Sequence, residues 1–262
     1  MFGEAQVERR AAAATHRRVL QLVTGQAGRG RLLEAACGTG VLARELAARG
    51  LRVVAADLQA ASFAAPEIPF LVCDLNRGLP FPPRVFDWVT CVEGIEHLEA
   101  LSIFLAECAR ILRAGGRLLL TTPNLLNLAS RVRFLLTGFS SLGIRPPREP
   151  SLGREPDLER AARDHISPLS YPLLRWRLRK SGFLIEKVTT DRRRLSASAL
   201  LALWPACWWW TRAALAGERD GEQRETNREI EKHLMSADLL LGRTLMVLAR
   251  KESGHPNKEA ER

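Results

Sequence analysis

Three acidic residues in this chain each stand at or near the end of a short apolar run. They are Glu34, Asp57 and Asp74, and a glycine-containing turn, residues 35–40, follows the first of them. A helix-like stretch then runs to Arg49. A strand, a glycine turn and a helix in this order are typical of nucleotide-type sites, because glycine admits close backbone approach and a helix start offers free N–H groups. A carboxylate at the end of the second strand can also accept hydrogen bonds from a ribose diol.

Several apolar runs must position these residues. The runs that we interpret as strands lie near residues 32–35, 51–57, 68–73, 85–91, 117–122, 183–188 and 244–249. Strands that alternate with helix-like segments predict a parallel sheet, whose ligands bind at the carboxyl ends of its strands. Each acid taken alone could be a solvated strand end, but three at successive strand ends favour a site.

A dinucleotide-binding dehydrogenase is the natural rival interpretation of the first turn. Its turn has the pattern G-x-G-x-x-G. Here Gly38 and Gly40 occupy the first two glycine positions, but Ala43 stands at the third. The spacing therefore disfavours that class.

Five segments in order carry a resemblance to a known family. They read EAACGTG (34–40), VVAADL (53–58), LVCDL (71–75), FDWVTCVEGIEHL (86–98) and RILRAGGRLLLTTPN (110–124). The chain resembles the class I S-adenosylmethionine-dependent methyltransferases, closely over residues 30–125 and loosely elsewhere. The subgroup it is most similar to contains small-molecule and lipid methyltransferases, including the ubiquinone-biosynthesis O-methyltransferases. The resemblance implies an α/β, Rossmann-like fold: a doubly wound, mostly parallel seven-stranded sheet with helices on both faces and an antiparallel seventh strand.

The resemblance also implies how S-adenosyl-L-methionine would be held. Asp57 would bind the ribose hydroxyls, Asp74 would face the adenine amino group, and Glu34 would hold the turn or reach the methionine amino group. The full implied set is Glu34, Ala36, Cys37, Gly38, Gly40, Asp57, Leu58, Asp74, Leu75, Glu93 and Gly94. Ala36 is a departure, since the family more often has glycine there and a Cβ disfavours positive φ. Gly38 and Gly40 remain, so we expect binding.

Candidates for the chemistry lie just after the fourth strand. Glu93, Glu96 and His97 form an E-x-x-E-H cluster, and His97 could act as a general base toward a hydroxyl acceptor. In ubiquinone-type relatives the matching residues resemble a divalent metal site, which could polarise an acceptor oxygen. The same acid–histidine pair also occurs in members without metal, where it caps the next helix, and we predict no metal ligands. His165 is a second catalytic candidate.

The chain divides into a core with additions. We predict an N-terminal cap helix over the cofactor cleft (1–29), the cofactor-binding core (30–125), an acceptor-side helix, mobile loop and helix (126–181), strands six and seven with an apolar insertion at 195–216 (182–252), and a disordered tail (253–262). Within the acceptor side, an amphipathic helix is expected from Asn124 to Gly138, and another from an N-cap at Ser167 to about Lys180.

The apolar insertion is the least ordinary segment. Residues 195–211 carry no charge and hold four of the six tryptophans. A spanning helix needs about 20 apolar residues, Pro205 interrupts the middle, and strands six and seven must stay on one side of any membrane. Flanking arginines at 192–194 and Arg212 suit an interfacial anchor on an anionic membrane surface. A lid, a buried helix or a homodimer contact are the alternatives.

Composition bounds the remaining choices. Net charge is +10, and the five cysteines contain no C-x-x-C pair, which fits a reducing cytosol. The first residues lack the layout of a secretory signal, so we expect a cytoplasmic protein, in part at the inner membrane face. The expected acceptor is small and hydrophobic or lipid-linked, with O-methylation. An RNA methyltransferase and a non-catalytic cofactor-binding scaffold are the alternatives, although Cys91-Val92-Glu93-Gly94 lacks the pattern of base-methylating enzymes and we do not expect a nucleic-acid partner.

Overall fold

A seven-stranded sheet organises the chain in the computed structural model, which describes residues 2–25, 30–139 and 166–253. The strands are β1 Arg31–Ala35, β2 Arg52–Asp57, β3 Phe70–Val72, β4 Phe86–Val92, β5 Leu112–Pro123, β6 Phe183–Thr189 and β7 Thr244–Lys251. Their spatial order is β3-β2-β1-β4-β5-β7-β6. All neighbours pair in parallel except β7, which runs antiparallel to β5 and β6. The predicted doubly wound fold with an antiparallel seventh strand is confirmed.

Helices cover both faces of this sheet. They are α1 Phe2–Thr24, α2 Val41–Ala47, α3 Leu101–Ile111, α4 Leu128–Thr137, α5 Tyr171–Lys180, α6 Leu195–Ser198, α7 Trp204–Leu215, α8 Gly221–Leu234 and α9 Ala237–Leu241. Short 3₁₀ turns lie at Ala60–Ser62, Ile95–His97 and Leu201–Leu203. On one face α3 and α5 pack in a large core around Phe104 and Leu178. On the other, α1 and α2 bury Val23 and Leu46 in a second core.

The helix after β5 begins later than the sequence pattern predicted. α4 begins at Leu128, and Asn127 caps it by accepting a hydrogen bond from the Ser130 N–H at 2.9 Å. Asn124 is outside the helix because its amide nitrogen donates to the carbonyls of Leu239 and Gly242. The predicted start was wrong, since Asn124 ties β5 to the segment that precedes β7.

The predicted N-cap of the next helix was also wrong. α5 begins at Tyr171 after Ser170, with a proline in its first turn. Ser167 instead fastens this segment to the turn after β4: its N–H donates to the Glu96 carbonyl at 2.9 Å and its Oγ to the Leu98 carbonyl at 2.6 Å. The start of the acceptor-side helix is therefore anchored beside the predicted site.

Two predicted additions can be followed in part. The side chains of α1 described from residue 13 onward pack on the sheet, and whether residues 2–12 cover the cofactor cleft stays a prediction. The tryptophan segment forms α6, a 3₁₀ turn and α7, and Pro205 lies in the first turn of α7 rather than interrupting a helix. Among the helices of the described ranges, none is long and apolar enough to cross a membrane. His165, most of the predicted loop and nearly all of the predicted tail lie outside the described residues.

Candidate active site

A cleft of about 300 Å³ opens at the carboxyl ends of β1, β2 and β4. Chain connections leave β1 toward β2 on one side and reach β4 on the other, which makes this the point where ligands bind in open α/β sheets. Nine predicted site residues line it: Ala36, Gly38, Asp57, Leu58, Asp74, Leu75, Glu93, Gly94 and His97. The topology therefore brings most of the predicted set to one place.

Asp57 joins the loops after β1 and β2. Its Oδ2 accepts a hydrogen bond from the Gly38 N–H at 2.8 Å, and its Oδ1 accepts from the Gln59 N–H at 3.0 Å. An ionised carboxylate has about four acceptor positions. Two positions remain for a diol in the cleft, so Asp57 can fix the glycine turn and hold a ribose together.

Asp74 lies one strand further along and is also held by neighbouring groups, with Arg77 Nε 3.3 Å from its Oδ2. Its Oδ1 accepts hydrogen bonds from the backbone N–H and the side-chain amide of Asn76, at 3.0 and 3.2 Å. Leu58 and Leu75 line the cleft beside these acids. Apolar side chains next to a polar acceptor suit the face and the amino edge of a purine base.

Three predicted residues lie behind the cleft instead of lining it. The Cys37 N–H donates to the Ala56 carbonyl, which fixes the turn to β2. Gly40 has φ 76°, and a Cβ there would lie 2.5 Å from the Phe63 ring. These two residues shape the turn for packing reasons.

Glu34 is the third of these residues and is 3% exposed. Burial raises the pKa of its carboxyl to about 8, the Asp57 charge adds to the shift, and a backbone hydrogen bond from Ala43 opposes it. Its Oε2 has no hydrogen-bond partner among the residues described. Buried polar atoms are rarely left unpaired, so a donor from a ligand, such as an amino group, would complete its surroundings.

The floor of the cleft carries backbone strain. Ala36 has φ 55° and Glu93 has φ 49°, a region that non-glycine residues seldom adopt. A Cβ on Gly94 would lie 2.7 Å from the Ala36 Cβ. The predicted strain at Ala36 is present, and the Glu93 N–H donates to Thr121 Oγ1 at 2.9 Å to hold the floor in place. Strain of this kind concentrates at functional sites.

The E-x-x-E-H cluster separates in the fold. Glu93 and His97 line the cleft, whereas Glu96 is buried beneath it. Burial raises the pKa of Glu93, with Asp191 adding and Arg243 opposing. Burial and the Glu93 charge raise the pKa of Glu96 to about 8. Within the described part of the chain, no three His, Cys, Asp or Glu side chains are grouped to hold a metal ion.

Comparison with known proteins agrees with this geometry. Residues 33–120 match the family described as methyltransferase domain. A demethylmenaquinone methyltransferase of Mycolicibacterium vanbaalenii is 42% identical over 91 residues, which are 34% of this chain and 40% of that protein. A ubiquinone biosynthesis O-methyltransferase of Paracidovorax citrulli is 30% identical over 104 residues, or 36% and 44% of the two chains.

Residues 33–120 therefore resemble a methyltransferase domain. The matched region spans less than half of each curated relative. A solved S-adenosylmethionine-dependent methyltransferase from Archaeoglobus fulgidus has the same fold over 90% of this chain and 92% of its own, with a TM-score of 0.57 and 16% identity.

The groups that line and adjoin the cleft fit S-adenosyl-L-methionine by their chemistry. Asp57 retains acceptor positions, Leu58 and Leu75 provide apolar contacts, and Glu34 Oε2 lacks a donor from the described residues. Five lining residues were missed: Gln59, Ser62, Cys73, Asn76 and Leu98. Four of these five are next in sequence to a predicted residue. A prediction that included one more residue on each side of the predicted ones would have found them. Ser62 lies on a 3₁₀ turn for which the sequence carries no signal.

Proposed function

We propose that this protein transfers a methyl group from S-adenosyl-L-methionine to an oxygen of a small hydrophobic or lipid-linked acceptor. The observation that carries the proposal is the division of the cleft. Asp57 and Asp74 lie at one end, where β2 and β3 finish, and Glu93 and His97 lie at the other, after β4. One part can hold the cofactor while the other meets an acceptor. The quinone relatives support a hydrophobic acceptor.

Each group of the chain has a defined task in this proposal. The cofactor supplies an electrophilic methyl group on a sulfonium. Asp57 and Asp74 hold its nucleoside, and Glu34 accepts from its amino group. The strained floor at Glu93 and Gly94 orients the cofactor end that faces the acceptor, which lowers the entropic part of the barrier. A ring nitrogen of His97 takes the proton from the acceptor hydroxyl as the oxygen attacks.

We propose that the protein is located in the cytoplasm or at the inner face of the membrane. The net charge of +10 and the hydrophobic acceptor class support that location.

Calorimetric titration with S-adenosylhomocysteine tests the cofactor half of the proposal. We expect micromolar binding by the parent and at least roughly tenfold weaker binding by Asp57→Ala, because hydrogen bonds to a charged group contribute about 1.5–3 kcal/mol each. Glu99→Ala, which removes an exposed acid two residues beyond His97, is the matched control and should bind like the parent. A folded parent that does not bind would contradict the proposal and favour a non-catalytic scaffold.

Radiolabelled methyl transfer into quinol and lipid fractions tests the acceptor half. His97→Gln should bind S-adenosylhomocysteine like the parent while turnover falls by about 10²–10⁴. If that variant retains turnover, His97 is not the base. If labelled RNA rather than quinol or lipid accumulates, the acceptor class is wrong.

A further inference from the structure

The α7 helix presents its tryptophans to solvent. Trp209 and Trp210 are 57% and 67% exposed, and Trp204 and Trp208 are exposed as well. On α4, Leu135 and Leu136 are exposed by 83% and 76%. Single exposed apolar residues are ordinary, but a concentration of large ones marks an interaction surface. The exposed set, here named the tryptophan face, is Phe134, Leu135, Leu136, Phe139, Leu201, Leu203, Trp204, Trp208, Trp209 and Trp210.

A narrow stripe attaches α7 to the rest of the protein. Cys207, Thr211 and Leu215 are half-buried, and no residue of the helix is fully buried. These three positions are spaced by four, so they form one line along the helix. The remaining circumference, with all four indoles, faces away from the core.

The helices α4 and α7 pack against the same small hydrophobic cluster. Cys207 packs against a small core of Leu128, Ala197, Leu240 and Leu241. Leu128 is the first residue of α4, and Ala197 lies on α6, which contacts α4. The two exposed apolar sets therefore project from neighbouring elements.

The two segments that carry the tryptophan face are rich in arginine. Residues 125–139 and 192–217 contain six arginines and no aspartate or glutamate. The Arg212 guanidinium stacks over the Trp208 ring at 5.3 Å. Burial lowers the pKa of Arg194, and the charges of Arg243, Arg133 and Arg192 add to the shift while Asp191 opposes it, so arginines of both segments lie near one another. Arg193 has an acidic partner, Asp238, at 3.6 Å.

We propose that the tryptophan face docks on the surface of an anionic lipid bilayer. Indole rings are favoured at headgroup depth, and arginines bind lipid phosphates. The protruding indoles and the arginines of the two segments together match such a surface. The bilayer supplies both an apolar phase for the rings and negative charge for the arginines.

Docking of this face would bring the acceptor side of the cleft to the lipid. α4 follows directly on β5, and β5 pairs with β4, whose last residue precedes Glu93. An acceptor dissolved in the bilayer could then reach the cleft without crossing water. This consequence rests on the proposed function, whereas lipid docking itself does not.

Vesicle sedimentation of the full chain, without cofactor or acceptor, tests the docking. The probes are vesicles of phosphatidylcholine alone and of equal parts phosphatidylcholine and phosphatidylglycerol. We expect the parent to bind the anionic vesicles, to bind neutral ones weakly, and to lose binding as salt increases. The partition coefficient of the double variant Trp209→Ser/Trp210→Ser onto anionic vesicles should be lower by at least roughly tenfold, because the variant lacks two rings that would enter the apolar phase.

Trp176→Ser is the matched control, because Trp176 is 60% exposed on α5 beside Lys180 and does not belong to the tryptophan face. It should bind vesicles like the parent. Equal losses in both variants, or a parent that ignores anionic vesicles at low salt, would overturn the proposal. The proposal would also be overturned if the parent formed a stable dimer and bound no vesicles while the double variant was a monomer. A second copy of the chain would then cover the face.

The two proposals fail separately. Absent S-adenosylhomocysteine binding with intact vesicle binding removes the proposed function and leaves the docking. The reverse result removes the docking and leaves the methyltransferase.

Discussion

The cofactor cleft and the tryptophan face are built by opposite means. In the cleft, carboxylates are held by backbone N–H groups and the floor tolerates no added atom, as at Asp57 and Gly94. On the tryptophan face, large apolar side chains such as Trp210 project into solvent from a helix held along one stripe. A change in the cleft must therefore propagate through the backbone. A change on the face should alter what the protein binds and leave its fold intact.

The largest effect that this difference predicts is at Gly94. The Cβ of Gly94→Ala would lie 2.7 Å from the Ala36 Cβ and 2.9 Å from Cys91 Sγ, and neither neighbour is the end of a flexible chain. Overpacking of this kind costs about 3 kcal/mol. Urea denaturation should show that loss, and calorimetry should show weakened S-adenosylhomocysteine binding.

A second substitution distinguishes the clash from other causes. Ala36→Gly removes one of the two contacts and relieves the positive φ at residue 36. Alone it should change stability little, because relief of about 1 kcal/mol is offset by the greater freedom of glycine in the unfolded chain. Combined with Gly94→Ala it should restore about half of the lost stability. Additive effects would contradict the assigned contact.

The next effect concerns pH. Burial, with the Glu93 charge, raises the pKa of Glu96 to about 8 from an ordinary 4.5. Between those values the folded protein keeps a proton that the unfolded chain has released, so the free energy of unfolding falls as pH rises. Glu96→Gln removes this contribution. Urea denaturation should show that the difference in free energy of unfolding, variant minus parent, rises by about 1–3 kcal/mol from pH 5 to pH 8.

Glu99→Gln serves as the control for that measurement. Glu99 is exposed three residues further along the same segment, and its variant should follow the parent at every pH. Glu34 contributes a fall of the same sign, since burial raises its pKa to about 8 as well. Some dependence on pH should therefore remain in Glu96→Gln, and a profile identical to the parent would contradict the role given to Glu96.

Much of the cleft could be predicted because its residues follow strand ends. The register of parallel strands brings Glu34, Asp57 and Asp74 to one edge wherever the apolar runs are identified correctly. What the sequence did not reveal is which of them reach the cavity. Gly40 carries the same glycine signal as Gly38, yet the Phe63 ring requires it and the cleft does not.

The predicted starts of the two acceptor-side helices were wrong because of long-range contacts. Asn124 and Ser167 both carry local capping signals, but long-range partners take their side chains: Leu239 and Gly242 for the first, Leu98 for the second. Local pattern cannot report a partner more than 60 residues away. The apolar run of α7 did not decide between exposure and burial, because it is compatible with a surface anchor and with a buried helix.

A small predicted effect on stability is the sharpest test of the contrast. Trp209→Ser/Trp210→Ser removes two exposed indoles whose ring centroids lie 4.7 Å apart in an edge-to-face arrangement. They belong to a helix that has no fully buried residue. Surface substitutions usually change stability by less than about 0.5 kcal/mol, and loss of the ring pair adds up to about 1 kcal/mol. Urea denaturation should therefore place the variant within about 1.5 kcal/mol of the parent, with an unchanged m-value. A loss comparable to Gly94→Ala would mean that the indoles are part of the core packing, and the two regions would then not differ in the way their exposure indicates.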